Sequence, residues 1–341
     1  INKHTDYFNT KTYSGTGNSQ ALTGVGFQPD FTWIKRRNST NEHLLFDAVR
    51  GVTKALNSND TTTEDTISNS LTAFGTDGFT VEGNASSGAS GGTYVAWNWK
   101  AGTTGSGTTG GSGTAKDYQY SVNTTAGFSI IKYKGNGTAG HTIPHHLGAV
   151  PKMIIVKCIE STHSWQVYHH KIGATKYLEL NTTNAQDTVT NRWNDTTPTS
   201  SVFTLGNSNT VNQSSSNYNF IAYCFEEKTG YSKFGSYTGN SNSDGAFIYT
   251  GFKPSFLLVK NISASQSWWM WDNKRAGANG LNYRLRPDQT TAESADNKVD
   301  LVSNGFKWRD GDNAWNYSGN TFIYMAFGQT IVGSNNIPAT A

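Results

Sequence analysis

The chain has 341 residues, which allows two or three domains, and a formal net charge of +3. Its lysines and arginines are scattered rather than clustered, which argues against a nucleic-acid partner, and no apolar run approaches the ~20 residues that cross a membrane. Aromatic residues reach 13% and glycines number 36, a composition typical of short strands joined by turns. We therefore expect an all-β protein that neither binds nucleic acid nor inserts into a membrane.

One sequence pattern occurs three times along the chain. Each copy opens with a tyrosine–glycine turn, continues with a proline before an apolar run that ends in lysine, and closes with an aromatic run. The apolar runs end at Lys35, Lys157 and Lys260, and the closing runs are YVAWNW at 94–99, FIAYCF at 220–225 and FIYMAF at 322–327. A repeat at fixed spacing predicts three copies of one supersecondary unit.

The spacing after each lysine is also shared by the three copies. Twelve residues on there is a polar residue, and nine residues further there is a leucine, at Leu56, Leu178 and Leu281. The apolar runs MIIVK and FLLVK are almost continuously hydrophobic. Such runs predict central strands that are covered on both faces.

The repeat predicts the domain organisation. We expect β-sandwich repeats at residues 1–101, 116–229 and 230–330, a Gly/Ser/Thr linker at 102–115 and a tail at 331–341. The linker has no side chain able to hold a core, so it is expected to be flexible or extended. Short runs of β-branched and aromatic residues between turn residues favour antiparallel sandwiches of jelly-roll or immunoglobulin-like type.

The polar residues of the repeat are the first candidates for a catalytic site. They are Asp47, His169 and Asp272, and an arginine follows two of them three residues later, at Arg50 and Arg275. The alternative is structural, with each aspartate ending a strand and pairing with its arginine in a turn. A general acid–base site would need a second carboxylate nearby, and none recurs at fixed spacing. We therefore predict no catalytic residues.

Histidines and cysteines raise the question of a metal or a disulfide. Six histidines fall in the second unit, at His141, His145, His146, His163, His169 and His170. They lack the spacing of a metal motif, so solvated turn histidines are preferred to a surface metal ion, and we predict no metal and no cofactor. Cys158 and Cys224 are expected to be reduced thiols rather than a disulfide.

Tryptophans of the third unit are the candidate ligand-binding residues. Period-two alternation places Trp269 and Trp271 on one face of a strand and Trp268 on the other. If one face is core, large aromatics on the other face can stack on sugar rings or mark a protein interface. The alternative is a wide core or a contact between units. The predicted ligand-binding residues are Trp268, Trp269, Trp271, Trp308 and Trp315.

The motifs resemble a repeated, largely uncharacterised domain of tailed-phage virion proteins, especially those of marine and cyanobacterial phages. In the third unit the resemblance is carried by Gly251–Phe256, Lys260, Trp271-Asp272, Ser303–Phe306 and Thr321–Phe327. In the first unit it is carried by Gly26–Pro29, Ile34-Lys35 and Phe46–Gly51. The resemblance implies a concanavalin-like or jelly-roll sandwich and a particle component, and it supplies no catalytic residue.

From these observations we expect a non-enzymatic virion protein, a tail fibre or similar appendage, that contributes to attachment to host-surface glycans. Its other partners would be virion proteins, and a homotrimer is expected because phage fibres are usually trimers. Two alternatives stay open at this point. One is a capsid-decorating or head-fibre protein with a purely structural role, and the other is a glycan-depolymerising enzyme of a phage fibre.

Overall fold

The computed structural model describes residues 1, 3–214, 218–275 and 282–329. Strands make up 45% of it and helix 2%, so the all-β prediction is confirmed. Neighbouring strands in the sheets run antiparallel. The helices of the described residues are a 3-10 turn, His4–Asp6, and a short α-helix, α1 (Asn209–Asn212). Within those residues no helix has both the length and the apolar character that a bilayer crossing requires.

The first unit consists of two sheets that enclose an apolar core. Its strands are β1 (Phe8–Ser14), β2 (Gln20–Thr23), β3 (Phe31–Arg36), β4 (His43–Asp47), β5 (Lys54–Asn57), β6 (Asp65–Thr66), β7 (Leu71–Gly75), β8 (Gly78–Val81) and β9 (Thr93–Trp99). The large sheet has the order β1-β9-β3-β4-β5-β6, and the small sheet has the order β2-β8-β7. Apolar side chains from both sheets, such as Ile34 and Phe79, pack together between them.

The second unit keeps the strand order of the large sheet and adds two strands at one edge of it, whereas its small sheet differs in one strand. Its strands are β10 (Thr103–Thr108), β11 (Gly110–Gly111), β12 (Asp117–Asn123), β13 (Phe128–Lys134), β14 (His141–Pro144), β15 (Met153–Cys158), β16 (Gln166–His169), β17 (Lys176–Glu179), β18 (Asp187–Thr188), β19 (Val202–Leu205) and β20 (Asn219–Phe225). The large sheet has the order β10-β12-β13-β20-β15-β16-β17-β18, and the small sheet has the order β11-β14-β19. The small sheet has β11 beside β14 and, within the part of the chain that the structure describes, no equivalent of β7. Cys158 and Cys224 are buried free thiols.

The segment 102–115 is extended, which is one of the two expected states, but it forms part of the second unit rather than a linker between units. It supplies β10 to the large sheet and β11 to the small sheet of the second unit. Gly105 and Gly107 stand opposite Tyr120 and Tyr118, and a Cβ on either glycine would come within 3 Å of the tyrosine ring. The segment therefore gains order from backbone pairing, and its glycines leave room for aromatic neighbours.

The third unit repeats the strand order of the first. Its strands are β21 (Ser232–Thr238), β22 (Phe247–Tyr249), β23 (Pro254–Asn261), β24 (Trp269–Asp272), β25 (Asn282–Leu285), β26 (Ser294–Asp296), β27 (Val299–Val302), β28 (Gly305–Trp308) and β29 (Thr321–Gly328). The sheets have the orders β21-β29-β23-β24-β25-β26 and β22-β28-β27.

One leucine of the repeat differs from the spacing prediction. Leu285 pairs with Met270 as Leu56 pairs with Leu45, so Leu285 occupies the structural position that the spacing assigned to Leu281. Both Leu56 and Leu285 belong to the same apolar cluster. The third unit therefore has four additional residues before β25. Leu281 and the predicted tail at 331–341 lie outside the described residues.

The three large sheets also pack against each other, and we call the apolar cluster between them the central core. In β29, Ile323, Met325 and Phe327 face the central core, whereas Phe322 and Tyr324 face the small sheet of their own unit. The same alternation holds for MIIVK, where Ile155 faces the central core and Ile154 the local core. The prediction that these strands are covered on both faces is confirmed.

Three aromatic rings meet where the closing strands β9, β20 and β29 end. The ring centroids of Trp99, Phe225 and Phe327 are 6.3, 5.8 and 6.2 Å apart in pairs. We call this set the aromatic triangle. Because its members are equivalent positions of the repeat, the triangle marks a pseudo-threefold axis within one chain. The central core belongs to all three units, so the division into three separate domains stays a prediction.

Candidate functional site

The polar residues of the repeat lie at the contacts between units, which we call seams. The Tyr223 hydroxyl donates to Asp47 Oδ2 at 2.8 Å, and the Trp97 indole N–H donates to Asp272 Oδ2 at 3.0 Å. His169 Nε2 is 3.4 Å from the carbonyl oxygen of Tyr324. Each unit thus contacts the closing strand of the next unit, and the three contacts form a closed cycle.

Two of these residues form buried ion pairs in turns. Arg50 Nε is 2.5 Å from Asp47 Oδ2, and Arg275 Nε is 2.6 Å from Asp272 Oδ2. In each pair Oδ1 accepts backbone N–H bonds from the two residues that lie two and three positions later. The aspartate is therefore surrounded by donors from its own turn and from the neighbouring unit. The structural interpretation, in which an aspartate ends a strand and pairs with its arginine, is confirmed.

In the second unit the equivalent residue, His169, is neutral and has no arginine partner among the described residues. His169 Nδ1 accepts the Lys171 N–H at 3.2 Å, so its proton lies on Nε2 and is directed at the Tyr324 carbonyl. Ile172 stands where the other units have arginine. An aspartate at 169 would be buried without a cation, which is costly. Burial lowers the pKa of His169 to about 3, so the ring is neutral.

The lysine that ends each apolar run also crosses a seam. Lys35, Lys157 and Lys260 are fully buried and donate to the carbonyls of Thr290, Thr61 and Thr183 of the neighbouring units, at 3.0, 3.3 and 2.8 Å. Each lysine also donates to a carbonyl of the loop that follows its own strand. Burial lowers the pKa of all three lysines to about 8.

Backbone hydrogen bonds repeat the same cycle at the seams. The backbone N–H of Glu64 donates to the carbonyl oxygen of Ile159 at 2.9 Å. In the same way the backbone N–H of Gln186 donates to the carbonyl of Ile262 at 3.3 Å, and that of Glu293 to the carbonyl of Arg37 at 2.8 Å. The acceptors lie two residues after the three buried lysines. The shared positions of the repeat therefore hold the units together, and sequence reasoning missed this role of the lysines although their recurrence was the signal.

The structure corrects the prediction of an exposed tryptophan platform, because four of its five residues are buried. Trp268 lies in the central core, and Trp271, Trp308 and Trp315 lie in the core of the third unit, each at most 1% exposed. Trp269 is half-buried, and the guanidinium groups of Arg284 and Arg286 lie 4.7 and 5.2 Å from its ring centroid. The alternation predicted for Trp268, Trp269 and Trp271 is correct, but both faces of the strand are covered.

The corresponding face of the first unit carries a groove. Leu44, Ala55 and Asn57 occupy the positions of Trp269, Arg284 and Arg286 and are smaller. They line a groove of about 390 Å³ whose rim carries Glu42, Glu64 and Asp65. The groove has a polar, acidic rim and no histidine or cysteine among its lining residues.

The histidines of the second unit are more buried than the sequence suggested. His141, His145 and His169 are fully buried, which corrects the expectation that all six are solvated. His141 contacts Asn212 and Thr109 at 3.0 and 2.6 Å, so its ring atoms are used within the unit. Across the residues that the structure describes, no group of three or more histidine, cysteine or acidic side chains has the arrangement of a metal site.

The Asp47–Arg50 pair predicts a non-additive pair of substitutions. Arg50→Ile alone leaves Asp47 buried without its cation and should lower the free energy of unfolding by about 3–5 kcal/mol. Adding Asp47→His copies the residues of the second unit and should recover at least about 1 kcal/mol, as a double-mutant cycle in urea would measure. Strict additivity of the two substitutions would contradict the assigned pairing.

His169 predicts a pH dependence of stability. The unfolded chain binds a proton at this residue with a pKa near 6.5, whereas the folded protein binds it only near pH 3, so protonation favours unfolding. The contribution of His169 is complete above about pH 6.5 and is lost as the pH falls, by up to about 1.4 kcal/mol per pH unit. Urea unfolding between pH 6.5 and 4 should show a smaller slope for His169→Asn than for the wild type. A slope that His169→Asn leaves unchanged would contradict the assignment of His169 as a buried, neutral ring.

The comparisons with known proteins give a family and no named relative. No curated protein and no solved structure matches the chain. One family model matches residues 3–330 and so spans all three units. The chain belongs to this family, DUF7483, which is described as a domain of unknown function.

Proposed function

We propose that the protein is a structural, surface-exposed component of a tailed-phage virion, a tail fibre or a similar appendage, that contributes to attachment to host-surface glycans. The observation that carries the proposal is the use of the repeated polar residues at the seams. Asp47, His169 and Asp272 are at most 2% exposed and each contacts a neighbouring unit. The triplication therefore builds one tightly connected body rather than three copies of a reactive site.

Such a body suits display on a particle. Its central core, buried aspartates and buried lysines make contacts between units, so a local opening at one unit has to disrupt contacts with both others. Attachment proteins are exposed to solvent, proteases and shear, where resistance to local opening is an advantage. The resemblance of the sequence motifs to repeated domains of phage virion proteins supplies the particle context.

Two other functions compete with this one. A capsid-decorating or head-fibre protein would use the same body without a host contact. A glycan-depolymerising enzyme would need accessible carboxylates, and the buried, ion-paired state of Asp47 and Asp272 argues against these two as its acids.

A homotrimer, the usual state of phage fibres, stays a prediction. The chain already contains three equivalent units whose seams are closed, so a trimer would need other surfaces than these. Host-surface glycans and other virion proteins are the partners that the proposal implies, and the virion is the proposed location.

The proposal predicts the location of the protein on the phage particle and the effect of antibody fragments on adsorption. Mass spectrometry of density-purified phage particles should detect the chain, and immunogold labelling should place it on the tail or on an appendage. Antibody fragments against the folded protein should slow adsorption of the phage to its host, because they cover the attachment surface. Fragments raised against a major capsid protein are the control and should leave adsorption unchanged.

These measurements and an assay for polysaccharide cleavage separate the alternatives. Label distributed over the capsid with unchanged adsorption would support the decorating role instead. Release of reducing ends from host polysaccharide by the purified protein would support the enzyme. Absence of the chain from purified particles would refute the proposal.

A further inference from the structure

Strand β22 carries two aromatic side chains that face solvent. Phe247 is 48% exposed and Tyr249 is 65% exposed, whereas Ile248 between them is 6% exposed and packs in the core of the third unit. In the described part of the chain only two other large hydrophobic side chains, Val52 and Tyr317, are comparably exposed. The outer face of the small sheet in the third unit is thus aromatic.

The other two units lack these rings at the same positions. Ile248 pairs with Phe306 as Leu22 pairs with Phe79, so Ala21 and Thr23 are the equivalents of Phe247 and Tyr249 in the first unit. In the second unit the equivalents are Thr142 and Pro144, on either side of Ile143. Since the first unit forms the same sheet and the second unit a related one, both with smaller side chains at these positions, the fold does not require the rings.

The neighbouring strand leaves the rings accessible. Phe247 stands opposite Lys307, and Tyr249 stands opposite Gly305. A Cβ on Gly305 would lie 3.0 Å from Cε2 of Phe247, so the Phe247 ring extends over this glycine towards Tyr249. Alternate residues of a strand project from one face at a separation of about 7 Å. The two rings therefore project from the same face of the sheet, with Phe247 extending over Gly305 and Tyr249 extending over Gly251, and we call them the aromatic strip.

The size of the strip limits what it can bind. An aromatic side chain covers about 150–250 Å², so the exposed parts of these two amount to roughly 200 Å². A stable protein interface covers about 800 Å² on each partner. The strip alone is therefore about a quarter of such an interface, and it is comparable in size to a few sugar rings.

The charges around the strip favour a neutral ligand. Lys307 pairs with Asp244 at 2.5 Å, and Arg309 pairs with Asp300, so opposite charges next to the rings compensate each other. Asp244 keeps 78% of its side chain exposed and can accept hydrogen bonds from hydroxyl groups. β22 is an edge strand, and its outer edge has no partner strand within the residues that the structure describes. Sugar rings offer apolar C–H faces for stacking and hydroxyl groups for such a rim.

We propose that Phe247 and Tyr249 form a stacking site for a neutral saccharide on the outer face of the third unit. This inference rests on the proposed role in glycan attachment and assigns it to a site. Phe247 and Tyr249 stack on the sugar faces, and Asp244 and the edge of β22 contact the hydroxyl groups.

The test is binding of the full-length protein to an array of neutral hexose oligosaccharides, with sulfated oligosaccharides as the anionic comparison. We expect binding to one or more neutral oligosaccharides, and Phe247→Ala or Tyr249→Ala should weaken it by at least about tenfold in Kd. Tyr317→Ala is the control, because this exposed tyrosine lies outside the three-stranded sheet, and its Kd should stay at the wild-type value. Circular dichroism checks that each variant is folded.

Three results would overturn the inference. They are no binding to any neutral oligosaccharide, binding restricted to sulfated ones, and binding that the two β22 substitutions leave unchanged in folded variants. The proposed virion location fails separately, through absence of the chain from purified particles. Binding without a virion location would therefore support the stacking site alone, and a virion location without binding would refute the site alone.

Discussion

Packing of the three large sheets around the aromatic triangle is the constraint on which the rest of the structure depends. Trp99, Phe225 and Phe327 lie at or next to the end of a closing strand. Each of these strands is covered on one side by its own small sheet and on the other by the neighbouring units. Removal of one unit would expose the central-core face of the other two. The exposed surface would be large and aromatic, which makes isolated units poor candidates for independent folding.

This packing determines where the buried polar residues find their hydrogen-bond partners. A sheet buried on both faces has no solvent for its charged groups, so each charge needs a partner within the protein. Lys35 and its two equivalents direct their donors to carbonyls across the seams, and Asp47 and Asp272 accept hydrogen bonds across them. His169 also contacts the closing strand of the neighbouring unit, but its ring is neutral. The variation at this position therefore reflects how each unit neutralises a buried site.

The nearly continuous apolar runs MIIVK and FLLVK were enough to predict their two-sided burial, and period-two alternation was enough to predict the opposite faces of Trp268 and Trp269. The sequence pattern predicted alternation and burial. It could not show what covers each face, and for this reason the tryptophan platform was wrong: the second face packs against other units. The ordered segment 102–115 was missed because glycines pair through the backbone and leave no side-chain pattern. Phe247 and Tyr249 were missed because alternating apolar residues in a short strand look the same whether they face core or solvent.

Native-state hydrogen exchange on the Phe225→Ala variant tests the central claim most directly. Phe225 belongs to the second unit, but its ring contacts Trp99 and Phe327 of the other two. If the central core is one cooperative element, the substitution lowers protection of the β9, β20 and β29 amides together, by about 3–5 kcal/mol. Loss of protection confined to β20, with β9 and β29 unchanged, would contradict the account.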